Sequence, residues 1–210
     1  MMKAGNDGAL DSSGRMCEDN GGLTMARIKP LRINRAKAGL VVVDIQDRLL
    51  PLIFEKERLV RNAVLLLKGA AILGLPVFVT EQYRKGLGLT TPQVAAAIAG
   101  FAPIEKVTFS SCGAPGFNAA LKAKRVSDVI LCGMETQVCV SQTCLDMLNQ
   151  GFRVFVVADA VSSRTVDNHR LGVERMRDAG AVIVSTEMVL FELLERAATE
   201  EFKQILALVR

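Results

Sequence analysis

The chain has 210 residues, half of them hydrophobic, no tryptophan and a formal charge of only +4, which suits one well-buried α/β domain with an aliphatic core and is too short for two comfortable ones. Lysines and arginines are scattered rather than striped, and only nine phenylalanines and one tyrosine are available for stacking, so no nucleic-acid partner is indicated. No apolar run approaches the roughly 20 residues of a membrane span, and five cysteines without paired spacing suit a reducing, cytoplasmic setting rather than a disulfide framework.

In chain order, residues 1–34 differ from the rest. Met1 to Gly22 is rich in Gly, Asp, Asn and Ser, buries almost nothing and is expected to be disordered. It lacks the apolar core of a signal peptide, and its acids argue against a transit peptide. Met25 begins a stretch, MARIKPLRIN, that would make an ordinary amino terminus, so residues 1–24 are expected to be an upstream extension without a part in the chemistry. The domain is placed at residues 35–210.

Ala38 to Asp44 (AGLVVVD) is an apolar run ending in an acid, which predicts a buried strand with Asp44 at its carboxyl tip. A loop follows to Pro51, then a helix over 59–73 stopped by Gly74. Residues 76–80 (PVFVT) predict a strand, and EQYRKGLGLTTP a polar loop whose Gly86 and Gly88 suit a pocket rim or lid. A short helix over 93–99 precedes a strand over 104–109 (IEKVTF) that contains Lys106. After a turn over 110–116 come a helix over 117–123, the strand and helix within 129–149, a strand over 153–158 and a loop, DAVSSRT. A helix over 167–179, a strand over 181–184 and helices over 188–196 and 200–209 complete the chain. Six strands alternating with helices predict an α/β, doubly wound, mostly parallel six-stranded sheet with helices on both faces. In such a sheet the ligand crevice opens where the strand order reverses, near the first and fourth strands.

The stretch Val129 to Asn149, VILCGMETQVCVSQTCLDMLN, is the centre of that pattern. Val129 to Cys132 reads as a buried strand that Gly133 breaks, and helical spacing begins at Thr136. Cys139 therefore falls at the start of a helix just past a strand's carboxyl end, where backbone N–H groups and the helix dipole favour an anionic sulfur. Cysteine is also among the most buried residue types, so position alone leaves Cys139 open between nucleophile and small core residue. Cys132 and Cys144 read as core.

Other chemistries of an open α/β sheet lack their signatures. IQDRLLP follows the first strand where a dinucleotide would need G-x-G-x-x-G, and neither a phosphate loop nor a G-x-S-x-G elbow is present. The single histidine, His169, lies on a polar helix start and reads as a solvated surface residue. A thiol must then be activated by other groups. Asp44 and Lys106 are charged residues on strands otherwise built for burial, where such residues are rare unless paired. A structural ion pair, or for Lys106 a lysine guarding an edge strand, is the plainer reading of each alone.

VVVDIQ at Val41–Gln46, the strand lysine in IEKVTFSS and GMETQVCV at Gly133–Val140 resemble the three signatures of the isochorismatase-like cysteine hydrolases, in the same order and spacing. The resemblance covers roughly Lys37 to Leu194 and implies a Rossmann-like fold and a catalytic Asp44, Lys106 and Cys139. It also implies a non-proline cis peptide at Met134–Glu135 and an oxyanion hole formed by the N–H groups of Glu135 and Cys139. Nicotinamidases of this family carry a metal-binding D-x-H-x-x-H loop after the second strand. This chain has EQYRKGLG there, so no metal or other cofactor is expected. Glu135 stands where nicotinamidases have a small residue, and isochorismatases proper do not need the cysteine that this chain keeps. The chain is most similar to uncharacterised isochorismatase-domain hydrolases with the same TEQY…GLG loop.

Two functional classes follow. One is a cysteine hydrolase of a small amide or related substrate, with a Cys139 thiolate, Asp44 as proton shuttle and Lys106 as thiolate stabiliser. Gln82, Tyr83 and Thr136 would line its pocket. The other is a non-catalytic protein that kept the fold, with Cys139 as a redox-sensitive thiol. The small-molecule substrate is the expected partner, with neither nucleic acid nor membrane. A homo-oligomer is also expected, because Phe191, Leu193, Leu194, Phe202, Ile205, Leu206 and Leu208 give the carboxyl-terminal helices much apolar surface.

Overall fold

The computed structural model describes residues 31–210. The expectations for Met1 to Pro30, including the upstream extension, lie outside the described residues. Leu31 to Asn34 join the folded body rather than the extension. Ile33 is buried and its N–H donates to Glu192, while the Asn34 N–H donates to buried Asp128.

Six strands form one all-parallel sheet in the order β3-β2-β1-β4-β5-β6. They are β1 (Ala38–Val43), β2 (Val77–Gln82), β3 (Ile104–Lys106), β4 (Asp128–Met134), β5 (Arg153–Ser162) and β6 (Val182–Val184). The apolar runs explain the centre: every residue of β1 and β4 is buried, as strands covered on both faces require. The helices are α1 (Lys56–Leu73), α2 (Arg84–Leu87), α3 (Pro92–Ala95), α4 (Phe117–Ala123), α5 (Ser141–Asn149), α6 (Val166–Asp178), α7 (Thr186–Leu194) and α8 (Glu200–Val209). One core packs α1, α7 and α8 on one face of the sheet; α4, α5 and α6 close the other. Among the described residues, no helix is long and apolar enough to cross a membrane.

The last two helices bury more of their apolar surface within the chain than their sequence suggests. Leu193, Leu194 and Ile205 are buried against α1 and the sheet. Phe191 stays partly exposed and meets Phe202 edge-on, with ring centroids 6.5 Å apart.

Several boundaries differ from the sequence expectation. β2 continues through Glu81 and Gln82, both buried, because their polar groups find partners. Glu81 accepts from the Thr90 N–H and hydroxyl and from Arg84. Gln46 bonds the Gln82 backbone and the Gly88 carbonyl. The loop expected to be a rim or lid is thus tied to the sheet. β3 ends at Lys106 instead of continuing to residue 109. β4 does not break at Gly133 but runs through it to Met134.

β5 is longer than expected and irregular. Leu131 pairs with Val156, yet Gly133 pairs with Val161, so β5 steps away from β4 and rejoins it. At the step, the Asp159 carboxylate accepts from the Thr186 N–H and hydroxyl at the start of α7, and its carbonyl accepts from Asn62. The excursion delivers Ser162, Ser163 and Arg164 to the carboxyl end of β4.

At Gly133, β4 lies close against the β1 backbone. The φ of this glycine is +132°, and a Cβ there would lie 2.1 Å from the Val43 carbonyl oxygen. We predict that Gly133→Ala destabilises the fold by about 3 kcal/mol or more, through backbone strain and overpacking. Urea denaturation checks this, and a loss below about 1 kcal/mol would show that the two strands can move apart.

Candidate active site

The strand order reverses between β1 and β4, and their carboxyl ends open the crevice. Asp44 follows β1 with φ 53°, a left-handed conformation uncommon for a non-glycine residue. Its N–H donates to the Thr80 carbonyl of β2. Lys106 ends β3. Cys139 lies in a single π turn, Thr136–Val140, that leads into α5. The Met134–Glu135 peptide between β4 and that turn is cis.

Asp44, Lys106 and Cys139 come together. Lys106 Nζ donates to Asp44 Oδ2 at 2.7 Å, and both side chains are almost wholly buried. The Thr80 hydroxyl donates to Asp44 Oδ1 at 2.7 Å. Lys106 Nζ also reaches Gln82 Oε1 at 2.8 Å and the carbonyls of Phe109 and Thr108 at 2.8 and 3.2 Å. The Cys139 thiol lies near enough to Asp44 for each to alter the other's proton affinity.

The electrostatics differ from the expectation of a thiolate stabilised by Lys106. Burial, then the Asp44 carboxylate, push the Cys139 thiol up to about 12, with Lys106 offsetting only part and Glu135 adding to the rise. Lys106 is committed to Asp44, Gln82 and two carbonyls, so it serves the carboxylate more than the sulfur. Burial also raises Asp44, against the lowering effects of Lys106 and Thr80. At neutral pH the thiol form dominates. A proton must therefore leave sulfur as it reacts, and a buried carboxylate with a raised pKa is suited to take it.

The residues expected to line the pocket have their own partners. Gln82 supports Lys106 and donates through Nε2 to the Val107 carbonyl. Tyr83 is exposed; its ring lies over Gly86 and its N–H donates to the Lys106 carbonyl. Thr136 is fully buried. Its hydroxyl meets His169 Nδ1 at 3.2 Å. His169 is accordingly half-buried rather than solvated, and burial and Arg58 lower its pKa. One turn further along α6, Gly172 lets the helix approach Thr136 and Gln137 closely.

Glu135 Oε1 accepts from Arg164 Nε at 2.6 Å, and the Ser163 hydroxyl donates to Gln137 Oε1 at 2.6 Å. The Val138 and Val140 N–H groups both donate to the Glu135 carbonyl, which shapes the turn beneath Cys139. Sequence reasoning misses Thr80, Ser163, Arg164 and His169 as site residues. For the last three, the polar cluster VSSRTVDNH is the only local signal.

Comparison with known proteins shows the family and the fold. The isochorismatase domain matches residues 38–188. The chain is 37% identical over 174 residues to isochorismatase domain-containing protein 2 of Danio rerio, covering 83% of this chain and 87% of that protein. A structure described as the MAR1 ribonuclease of Caenorhabditis elegans superposes with a TM-score of 0.81 at 37% identity, covering 85% of this chain and 92% of that one. The YcaC gene product of Escherichia coli, described as an octameric hydrolase of unknown specificity, gives 0.80 at 26% identity over 86% and 92%. The chain belongs to the isochorismatase-domain family, whose members are generally hydrolases.

Proposed function

We propose that the protein is a cysteine hydrolase of small amides or related acyl compounds, with Cys139 as nucleophile. The observation that carries this reading is the Asp44 carboxylate, held by buried Lys106 at 2.7 Å and close enough to the Cys139 thiol to act on its proton. As Sγ bonds to the acyl carbon, its proton passes to Asp44 and the carbonyl electrons move onto oxygen. The N–H groups of Glu135 and Cys139 receive that oxyanion. When the C–N bond breaks, Asp44 returns the proton to the departing amine. Water then attacks the thioester, gives a proton to Asp44, and releases the acid and the free thiol.

A metal plays no part in this reading. Glu81, near the end of β2, is the carboxylate nearest the position of the metal-binding loop of nicotinamidases, and both its oxygens are already occupied by Thr90 and Arg84. RNA cleavage, raised by the name of the nematode neighbour, is not favoured. The charges of Asp44 and Lys106 cancel, as do those of Glu135 and Arg164, which gives these two pairs little attraction for a phosphate backbone. Self-association is also part of the proposal, with the octameric neighbour as its support. Light scattering should return a mass above that of one chain, and a monomer at micromolar concentration would remove this part.

A screen of small amides for released ammonia or amine tests the activity. Cys139→Ala should abolish turnover, and Asp44→Asn should reduce it by roughly 10²–10⁴-fold. Asp44→Asn should also speed alkylation of Cys139, because it removes a charge that raises the thiol, while leaving Cys112 unchanged. Retained turnover in Cys139→Ala would end the assignment.

Lys106→Met should lose about 3–5 kcal/mol at pH 8, because it leaves a buried carboxylate uncompensated. Burial already raises Asp44 above its unfolded value, so the folded chain holds that proton more tightly and this group's stability contribution falls as pH rises. Part of the loss should therefore return on acidification. Chemical denaturation at several pH values checks the sign.

A further inference from the structure

We propose that Glu135 determines specificity by occupying Arg164, so that the crevice accepts an uncharged acyl substrate and rejects one bearing a carboxylate. This rests on Cys139 being the nucleophile. Glu135 adjoins the turn that carries Cys139, and its side chain is only 12% exposed. Its charge is felt at the thiol. Arg164, 54% exposed, donates to it through Nε at 2.6 Å, and Gln137 Nε2 approaches the same oxygen at 3.3 Å. The terminal guanidinium nitrogens of Arg164 make no hydrogen bond among the described residues.

A guanidinium beside a nucleophile is suited to bidentate recognition of a carboxylate. Here that guanidinium already faces a carboxylate, and Lys106 is likewise taken by Asp44. An incoming anion therefore finds no unpaired cation to offset its own desolvation. An uncharged amide meets two neutralised pairs and loses little on entering. With a small neutral residue at position 135, Arg164 would instead be an uncompensated cation at the crevice.

The test uses two alkylating reagents of nearly the same shape, neutral iodoacetamide and anionic iodoacetate, on the full chain. Mass spectrometry reads each rate at Cys139, with Cys112 as a reference in the same molecule. Glu135→Gln should shift the Cys139 preference toward iodoacetate by about tenfold, a size expected for one partly screened charge. Glu135→Ala should shift it in the same direction, which guards against a peculiarity of the glutamine. The double variant Glu135→Gln/Arg164→Gln should return to near the wild-type preference, and the Cys112 ratio should stay constant throughout. An unchanged preference in both Glu135 variants overturns the inference. So does a double variant that keeps the full shift, since Arg164 would then not be the reader. A wild-type Cys139 labelled by neither reagent would instead overturn the nucleophile assignment, and this inference with it.

Discussion

The buried pair of Lys106 and Asp44 is the constraint on which the site depends. Removing either charge from water costs several kcal/mol, and mutual attraction repays that only with good geometry and further hydrogen bonds. Both are present: Thr80 satisfies the second carboxylate oxygen, and Gln82 with two carbonyls satisfies the ammonium. These partners come from β2 and from the segment after β3. The polar layer thus spans three adjacent strands and fixes their carboxyl ends relative to one another.

Cys139 is held from the other side. β4 continues through Gly133, because only a glycine fits against Val43 there, and the chain then enters the turn that carries Cys139. His169 and Gly172 of α6 hold Thr136 at the first residue of that turn. The irregular end of β5 adds Ser163 and Arg164, which hold Gln137 and Glu135. Sulfur and carboxylate therefore meet at the boundary between two separately braced halves of the sheet.

Much of this is legible in the sequence for simple reasons. Continuous apolar runs such as AGLVVV mark strands covered on both faces, and polar residues at their ends mark the sheet edge where ligands bind. A lysine inside IEKVTF needs a partner, and Asp44 is the natural one. The EQ of TEQY reads as loop because polarity normally signals exposure. In the fold, Gln46, Thr90 and Arg84 satisfy those groups and keep them in the strand.

Local apolar periodicity is enough to set the order of elements, the parallel sheet and the residues that could meet at the switch point, because each of these follows from short stretches of chain. Which partners those residues take depends on groups far apart in sequence. His169 gives no local sign of its role, because its contact with Thr136 depends on how closely Gly172 lets α6 approach. Arg164 reaches Glu135 only through the shifted register of β5, which no local pattern announces. The protonation of Cys139 likewise depends on burial and Asp44 weighed against Lys106, and that balance exists only once three strands and a turn have been brought together.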